Sequence, residues 1–156
     1  MKGLILILIL TVYLSCNYIP CSSSSDLDNV KQLTNQLLIA GIYKPDEFTK
    51  QDFEEYSNSD STYLEVEADG KISLHNFPGK TFGAREDEKL TTVDGSGSWT
   101  TSFESGTTIL NVNITFKQKG VSPTPPFRLF KKSDKYFILI DFGDPDNCTS
   151  VRLRQQ

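Results

Sequence analysis

Three carboxylates crowd the C-terminal part of the chain, Asp141, Asp144 and Asp146, with Asn147 beside them. Hard oxygen ligands at that density are what a calcium ion takes. The twelve-residue calcium-loop pattern is absent, and Gly143, Pro145 and an Asp or Asn that bonds its own backbone turn the same stretch into a turn. We read it as a turn and expect no metal site. His75, the single histidine, has the chemistry of a general base, but it alternates outward from Ile72 and Leu74 and so reads as an exposed strand residue. Ser96 and Ser98 lie among glycines, in Gly95-Ser-Gly-Ser-Trp99. That is not a nucleophile elbow, which is Gly-x-Ser-x-Gly leading into a helix. Cys148 is a thiol with no histidine near it in sequence. No catalytic residue and no cofactor is nominated, and the chain is not read as an enzyme.

Cys16 is the cysteine whose surroundings carry a chemistry. Lys2 starts the chain, an apolar run of about 11 residues follows, and Leu14-Ser15-Cys16 closes it. The run is too short to span a bilayer core, which takes roughly 20 apolar residues. In bacterial lipoproteins a small residue precedes the cysteine that is acylated and becomes the first residue of the mature chain. Residues 1–15 are therefore expected to be a lipoprotein signal peptide and Cys16 the lipidation site, although Tyr13 stands where such signals usually carry Leu. An ordinary secretory signal and an uncleaved anchor are the other readings. The serine run after Cys21 is expected to be a flexible tether over 16–25. The expected address is the bacterial cell envelope, lipid-anchored, on the periplasmic or outer face. Cys21 and Cys148 are left over, and an exported domain could join them. The sequons at Asn113 and Asn147 would matter only on a eukaryotic secretory route.

Charge narrows the partners. With 16 Lys+Arg against 20 Asp+Glu, the chain lacks the basic excess that nucleic-acid binding requires. The late basic residues Arg128, Lys131, Lys132, Lys135, Arg152 and Arg154 read as solvated strand faces.

The elements that position these residues are mostly strands. Leu27, Val30, Leu33, Leu37 and Leu38 recur at helical steps, so one amphipathic helix is expected over Asp26–Leu38. Gly41–Lys44 reads as a strand closed by Pro45, and Asp46–Asp60 as a helical turn or two or a long loop. From Ser61 the period becomes two. Leu64, Val66, Ile72 and Leu74 share one face around Asp69-Gly70, a strong hairpin signal. Asn76-Phe77-Pro78-Gly79 is expected to end the hairpin. A modest strand is expected near Lys89–Val93, and a new one opening at Gly95. Leu110, Val112, Ile114 and Phe116 alternate against Asn111, Asn113 and Thr115. Tyr136–Phe142 is an almost unbroken apolar run, as in a strand buried on both faces. The aromatic residues, Phe103 included, are expected in the core. Residues 26–156 form a single β-rich domain, an antiparallel barrel or sandwich preceded by one helix.

In order along the chain come Ala68-Asp69-Gly70-Lys-Ile, Asn76-Phe77-Pro78, Gly95-Ser-Gly97-Ser-Trp99 and Gly143-Asp144-Pro145-Asp146. This pattern, Gly-x-Trp followed by Gly-Asp-Pro-Asp, resembles a group of small, mostly uncharacterised exported bacterial lipoproteins with a lipocalin-like β domain. Such proteins often carry Ser-Gly after the tetrapeptide, where this chain has Asn147-Cys148. The resemblance covers roughly Gly41 to Leu153. It implies a meandering β architecture, with Trp99 plugging a barrel end, and no enzymatic activity. The expected function is binding of a small apolar ligand or an envelope component, with Leu64, Val66, Trp99, Leu110 and Val112 lining the site. The alternative is a protein-binding inhibitor or immunity-type module with a filled core and an exposed acidic or aromatic patch within Asp46–Asp60.

Overall fold

The computed structural model describes residues 22–33, 35–57, 60–83, 92–118, 121, 125–142 and 149–156. The signal segment, Cys16, Cys21 and the stretch 143–148, with Asp144, Asp146, Asn147 and Cys148, lie outside the described residues.

Among the described residues nine strands form one antiparallel sheet: β1 (Asp28–Asn29), β2 (Gly41–Pro45), β3 (Tyr63–Val66), β4 (Lys71–Pro78), β5 (Thr92–Glu104), β6 (Thr107–Phe116), β7 (Phe127–Lys132), β8 (Lys135–Asp141) and β9 (Ser150–Gln155). From β2 to β9 each strand pairs with the next, and β9 returns to pair with β2 through Lys44↔Arg154 and Pro45↔Leu153. The result is a closed, up-and-down, eight-stranded barrel. Between barrel and sandwich, the closure decides for the barrel. The turns after β3, β5 and β7 lie at one end, here called the lower. The connections after β2, β4, β6 and β8 leave from the upper end.

The hairpin of β3 and β4 shows how sequence makes wall. Leu64 pairs with Leu74 and Val66 with Ile72, and all four side chains are buried. Gly70 supplies the left-handed residue (φ 89°) that completes the turn, its N–H donating to the Glu67 carbonyl at 3.2 Å. The β3–β4 pairing ends at Tyr63↔His75, as expected before Asn76, while β4 itself runs on to Pro78 against β5. A bulge there (Asn76 φ 52°) is held by Asp94, whose carboxylate accepts from the Asn76 N–H at 3.0 Å. The extra residue resets the alternation, so that Phe77, three positions after Leu74, again points inward.

β5 is one continuous strand from Thr92, where two pieces were expected. Its inward positions run Val93, Gly95, Gly97, Trp99, and it pairs with β6 from Gly95↔Phe116 to Glu104↔Thr107. A Cβ at Gly97 would lie 1.8 Å from the Asn113 carbonyl oxygen, and one at Gly95 2.6 Å from Ile114 Cγ2. Only glycine lets the two strands approach this closely.

The upper end is closed by the segment after β2. Asp46 caps α1 (Glu47–Asp52) by accepting from the Thr49 N–H at 3.1 Å, and a 3₁₀ turn, Glu54–Tyr56, follows. Phe53 and Tyr56 point inward, joining a chain of ring contacts from Phe142 through Phe53, Tyr56, Phe77 and Phe82 to Phe116, at 5.1–6.4 Å, while Phe48 packs on Arg152. The expected exposed aromatic patch is therefore not there, while Glu47, Asp52 and Glu54 do face solvent.

The expected helix over Asp26–Leu38 does not form. The one α-helix among the described residues is α1, and residues 22–30 run as an extended strap down the outside of the barrel. β1 pairs with β7 beyond the end of β6, Asn29 opposite Phe130, and the Thr108 N–H donates to the Val30 carbonyl at 2.8 Å. These tertiary bonds replace those of a helix. The leucines do not share a buried face either, since Leu37 and Leu38 sit exposed in a 3₁₀ turn, Gln36–Ile39. Nor do the described serines form a free tether. Ser23 and Ser24 are buried, and the Ser23 and Ser150 hydroxyls are hydrogen-bonded.

Gly97→Ala is expected to cost about 3 kcal/mol or more in denaturant unfolding, the upper range for overpacking. Gly106→Ala, where a Cβ meets nothing within 4 Å but φ is 85°, should cost only about 1 kcal/mol. Equal costs would contradict the close approach of β5 and β6.

Candidate functional site

The residues nominated from sequence for a ligand site all face the barrel interior. Leu64 and Leu110 are 0 % exposed, Val66 1 % and Trp99 3 %, so almost no space for a water molecule adjoins them. They pack with Ile72, Leu74, Leu129, Ile138, Ile140, Val151 and Leu153 in one buried cluster. Trp99 sits at the lower end, its indole N–H donating to the Glu67 carbonyl at 3.0 Å and its backbone N–H to that of Gly70 at 2.8 Å. Val112 alone of the five is half-buried. It continues upward into Ile114 and Phe116, also half-buried, opposite the side-chain-free Gly95 and Gly97.

The residues with candidate chemistry are occupied structurally. His75 stacks on Tyr63 of the neighbouring strand, ring centroids 4.3 Å apart. Ser96 faces outward between Ser73 and Thr115. Asp141 accepts from Arg128 Nη2 at 2.6 Å. Tyr43 donates to the Ile39 carbonyl at 2.8 Å and Tyr56 shares a 2.7 Å hydrogen bond with Thr81. Burial raises both phenols well above their ordinary value, which keeps them neutral. Among the described residues no group of three His, Cys, Asp or Glu side chains converges as a metal site would require. Phe103, expected in the core, is 58 % exposed near the β5–β6 turn.

The outer wall holds the features that sequence reading missed. Phe130, Phe137 and Leu139 form a second buried cluster outside the barrel, covered by Leu27 of the strap. Arg152 ties the parts together. Its Nε donates to Asp46 and its Nη1 to Asp26 at 2.7 Å, and its guanidinium lies 4.7 Å from the Phe48 ring and 5.7 Å from that of Phe137. Its backbone N–H donates to the Thr49 hydroxyl, which donates in turn to the Arg152 carbonyl. One side chain thus fastens strap, α1 and β9. Asp26 also accepts from Lys132 Nζ at 2.7 Å.

Beside the strap lies a groove of about 340 Å³. The strap contributes Ser24, Ser25, Leu27 and Asn29, and the β5–β6 hairpin contributes Glu104, Ser105, Thr107 and Ile109. Arg128 and Phe130 of β7 complete it. Thr107, Ile109 and Phe130 are buried in its floor, while Asn29, Glu104 and Ser105 form an exposed rim. No local sequence signal marks it, because its three sources lie about 75 to 100 residues apart or about 20, and only the strap's docking joins them.

Comparison with protein-family models, with characterised proteins and with solved structures finds no match for this chain.

The hydrogen bond from Lys132, with the charge of Arg152, holds the Asp26 carboxyl below its ordinary value near 3.8. A depressed carboxyl stabilises the fold above its unfolded pKa and loses that contribution as pH falls through the folded one. The difference in unfolding free energy between the protein and Asp26→Asn should therefore be constant near neutrality and shrink below about pH 3.8. Asp46→Ala, which leaves the Nε of the largely buried Arg152 without its carboxylate, should cost about 3 kcal/mol. A pH-independent difference, or a loss under about 1 kcal/mol at Asp46, would contradict this role for Arg152.

Proposed function

We propose that this chain is a lipoprotein of a bacterial cell envelope, acylated at Cys16 after removal of residues 1–15, whose barrel is a non-enzymatic binding module. The observation that carries the binding mode is the filled interior. With Leu64, Leu74, Leu110, Leu129, Ile138, Ile140 and Leu153 all at 0 % exposure, the wall of the barrel, and not its centre, offers room. The module holds an envelope component on its outer surface, where the groove between strap and hairpin is open. The strap supports this arrangement. With Ser23 hydrogen-bonded to Ser150 at the top of β9, residues 16–21 are left as the tether, roughly 20 Å at full extension. The anchor thus keeps the upper end of the barrel, where the strap begins, nearest the membrane surface, and the groove runs from there toward the β5–β6 turn.

Two observations favour other forms of binding. The half-buried row Val112, Ile114 and Phe116 is the footing for a small apolar ligand. Leu37, Leu38 and Phe103, 65 %, 47 % and 58 % exposed, all lie toward the lower end, away from the tether, and are the footing for a protein-binding, inhibitor or immunity-type module.

Intact native mass of the protein extracted from its host's membranes tests the reading. A chain starting at Cys16 with added acyl mass is expected, and Cys16→Ala should move the protein to the soluble fraction. An unacylated chain in the soluble fraction overturns the tether.

A further inference from the structure

We infer that the groove between the strap and the β5–β6 hairpin is a binding site for a neutral saccharide. This names the ligand class for the outer-wall binding proposed above and rests on that reading.

Charge is the first argument. Arg128 is the one cation in the groove, and it is already neutralised: Nη2 donates to Asp141 at 2.6 Å. The guanidinium also lies 5.6 Å from the Phe130 ring, which with Asp141 fixes its plane. Glu104 on the opposite rim adds a second carboxylate, which accepts from the Ser102 hydroxyl at 2.8 Å. An anionic ligand would meet two carboxylates for one guanidinium. A neutral ligand meets none of that repulsion.

The hydrogen-bonding inventory is the second. Arg128 Nε is buried and has no acceptor among the described residues. A buried donor without a partner is costly, and a neutral oxygen brought by a ligand relieves that cost without adding charge. The same groove is lined by an amide (Asn29), a carboxylate (Glu104) and hydroxyls (Ser105, Thr107). Thr107 donates to the Leu129 carbonyl at 3.0 Å, so its oxygen still accepts. A ligand matched to this set must donate and accept at several closely spaced points, which is what vicinal hydroxyls do.

The third argument is the mixture of surfaces. Leu27, Ile109 and Phe130 give the groove an apolar side, against which the C–H face of a sugar ring packs while its hydroxyls reach the polar rim. A lipid chain would leave the polar groups unpaired. A peptide added as a strand would require a row of free backbone groups, whereas Asn29, Glu104, Ser105 and Thr107 bring polar side chains to this groove. The volume, about 340 Å³, is at the low end for small-molecule sites and suits one or two rings of a longer glycan.

The test is an amide-resolved NMR titration of the full chain in detergent with the β-1,4-linked disaccharide of N-acetylglucosamine. Glucuronate and trialanine serve as anionic and peptide comparisons. Shifts confined to Asn29, Glu104, Ser105 and the Arg128 Nε–H, at millimolar disaccharide, are expected. Asn29→Ala and Glu104→Ala, both on the exposed rim, should each weaken binding by about fivefold and leave the Trp99 signals unchanged. If trialanine or glucuronate shifts these signals and the disaccharide does not, the saccharide assignment is overturned while outer-wall binding stands. If none of the three shifts them, both are overturned.

Discussion

The interior of an eight-stranded barrel is just wide enough for side chains to fill or for one small ligand to occupy, and the residues of this chain choose the first. Tyr43, Phe77 and Phe127 point inward together with seven or more leucines, isoleucines and valines at 0–1 % exposure, and Trp99 closes the lower end. Gly95 and Gly97 add no side chain to that volume and let β5 and β6 approach closely. Close packing of this kind is what makes the barrel one cooperative unit. It also moves function outward, since a filled centre leaves recognition to the wall, the loops and the ends.

Arg152 carries that shift into the wall. A buried cation is tolerable only when its donors are satisfied by good geometry, and here the two carboxylates that satisfy them, Asp26 and Asp46, arrive from opposite sides. One draws the N-terminal strap onto the barrel and the other fixes the start of α1. The strap in turn covers Phe130, Phe137 and Leu139, apolar residues that a plain barrel would expose. The groove exists only because the strap is docked, so the residues that anchor the strap position a candidate ligand site they do not touch.

Much of the wall was legible in the sequence because alternation is a local signal. Leu64, Val66, Ile72 and Leu74 around Asp69-Gly70 specify a hairpin within a dozen residues, and β6 follows the same rule. The unbroken run Tyr136–Phe142 was legible as buried on both faces. Its reason was not, since Ile138 and Ile140 face the core while Phe137 and Leu139 face the strap. The strap itself misled. Leucines at helical spacing are the signature of an amphipathic helix, but the partners that decide residues 26–30 are Lys132, Arg152, Phe130 and Thr108, all about 80 residues or more away. Phe103 misled in the same way, because a strand that outruns its neighbour carries its apolar residues into solvent. The five ligand-site residues were correctly given inward faces, yet orientation alone does not separate a lined cavity from a packed core. That depends on summed volumes from eight strands.

The filled interior is the central claim, and pressurised xenon addresses it directly, because xenon occupies apolar cavities in proteins. A structure determined under xenon should hold no atom among Leu64, Val66, Leu110, Ile138 and Leu153. A xenon atom bound among those side chains would contradict the account and return the binding site to the centre of the barrel.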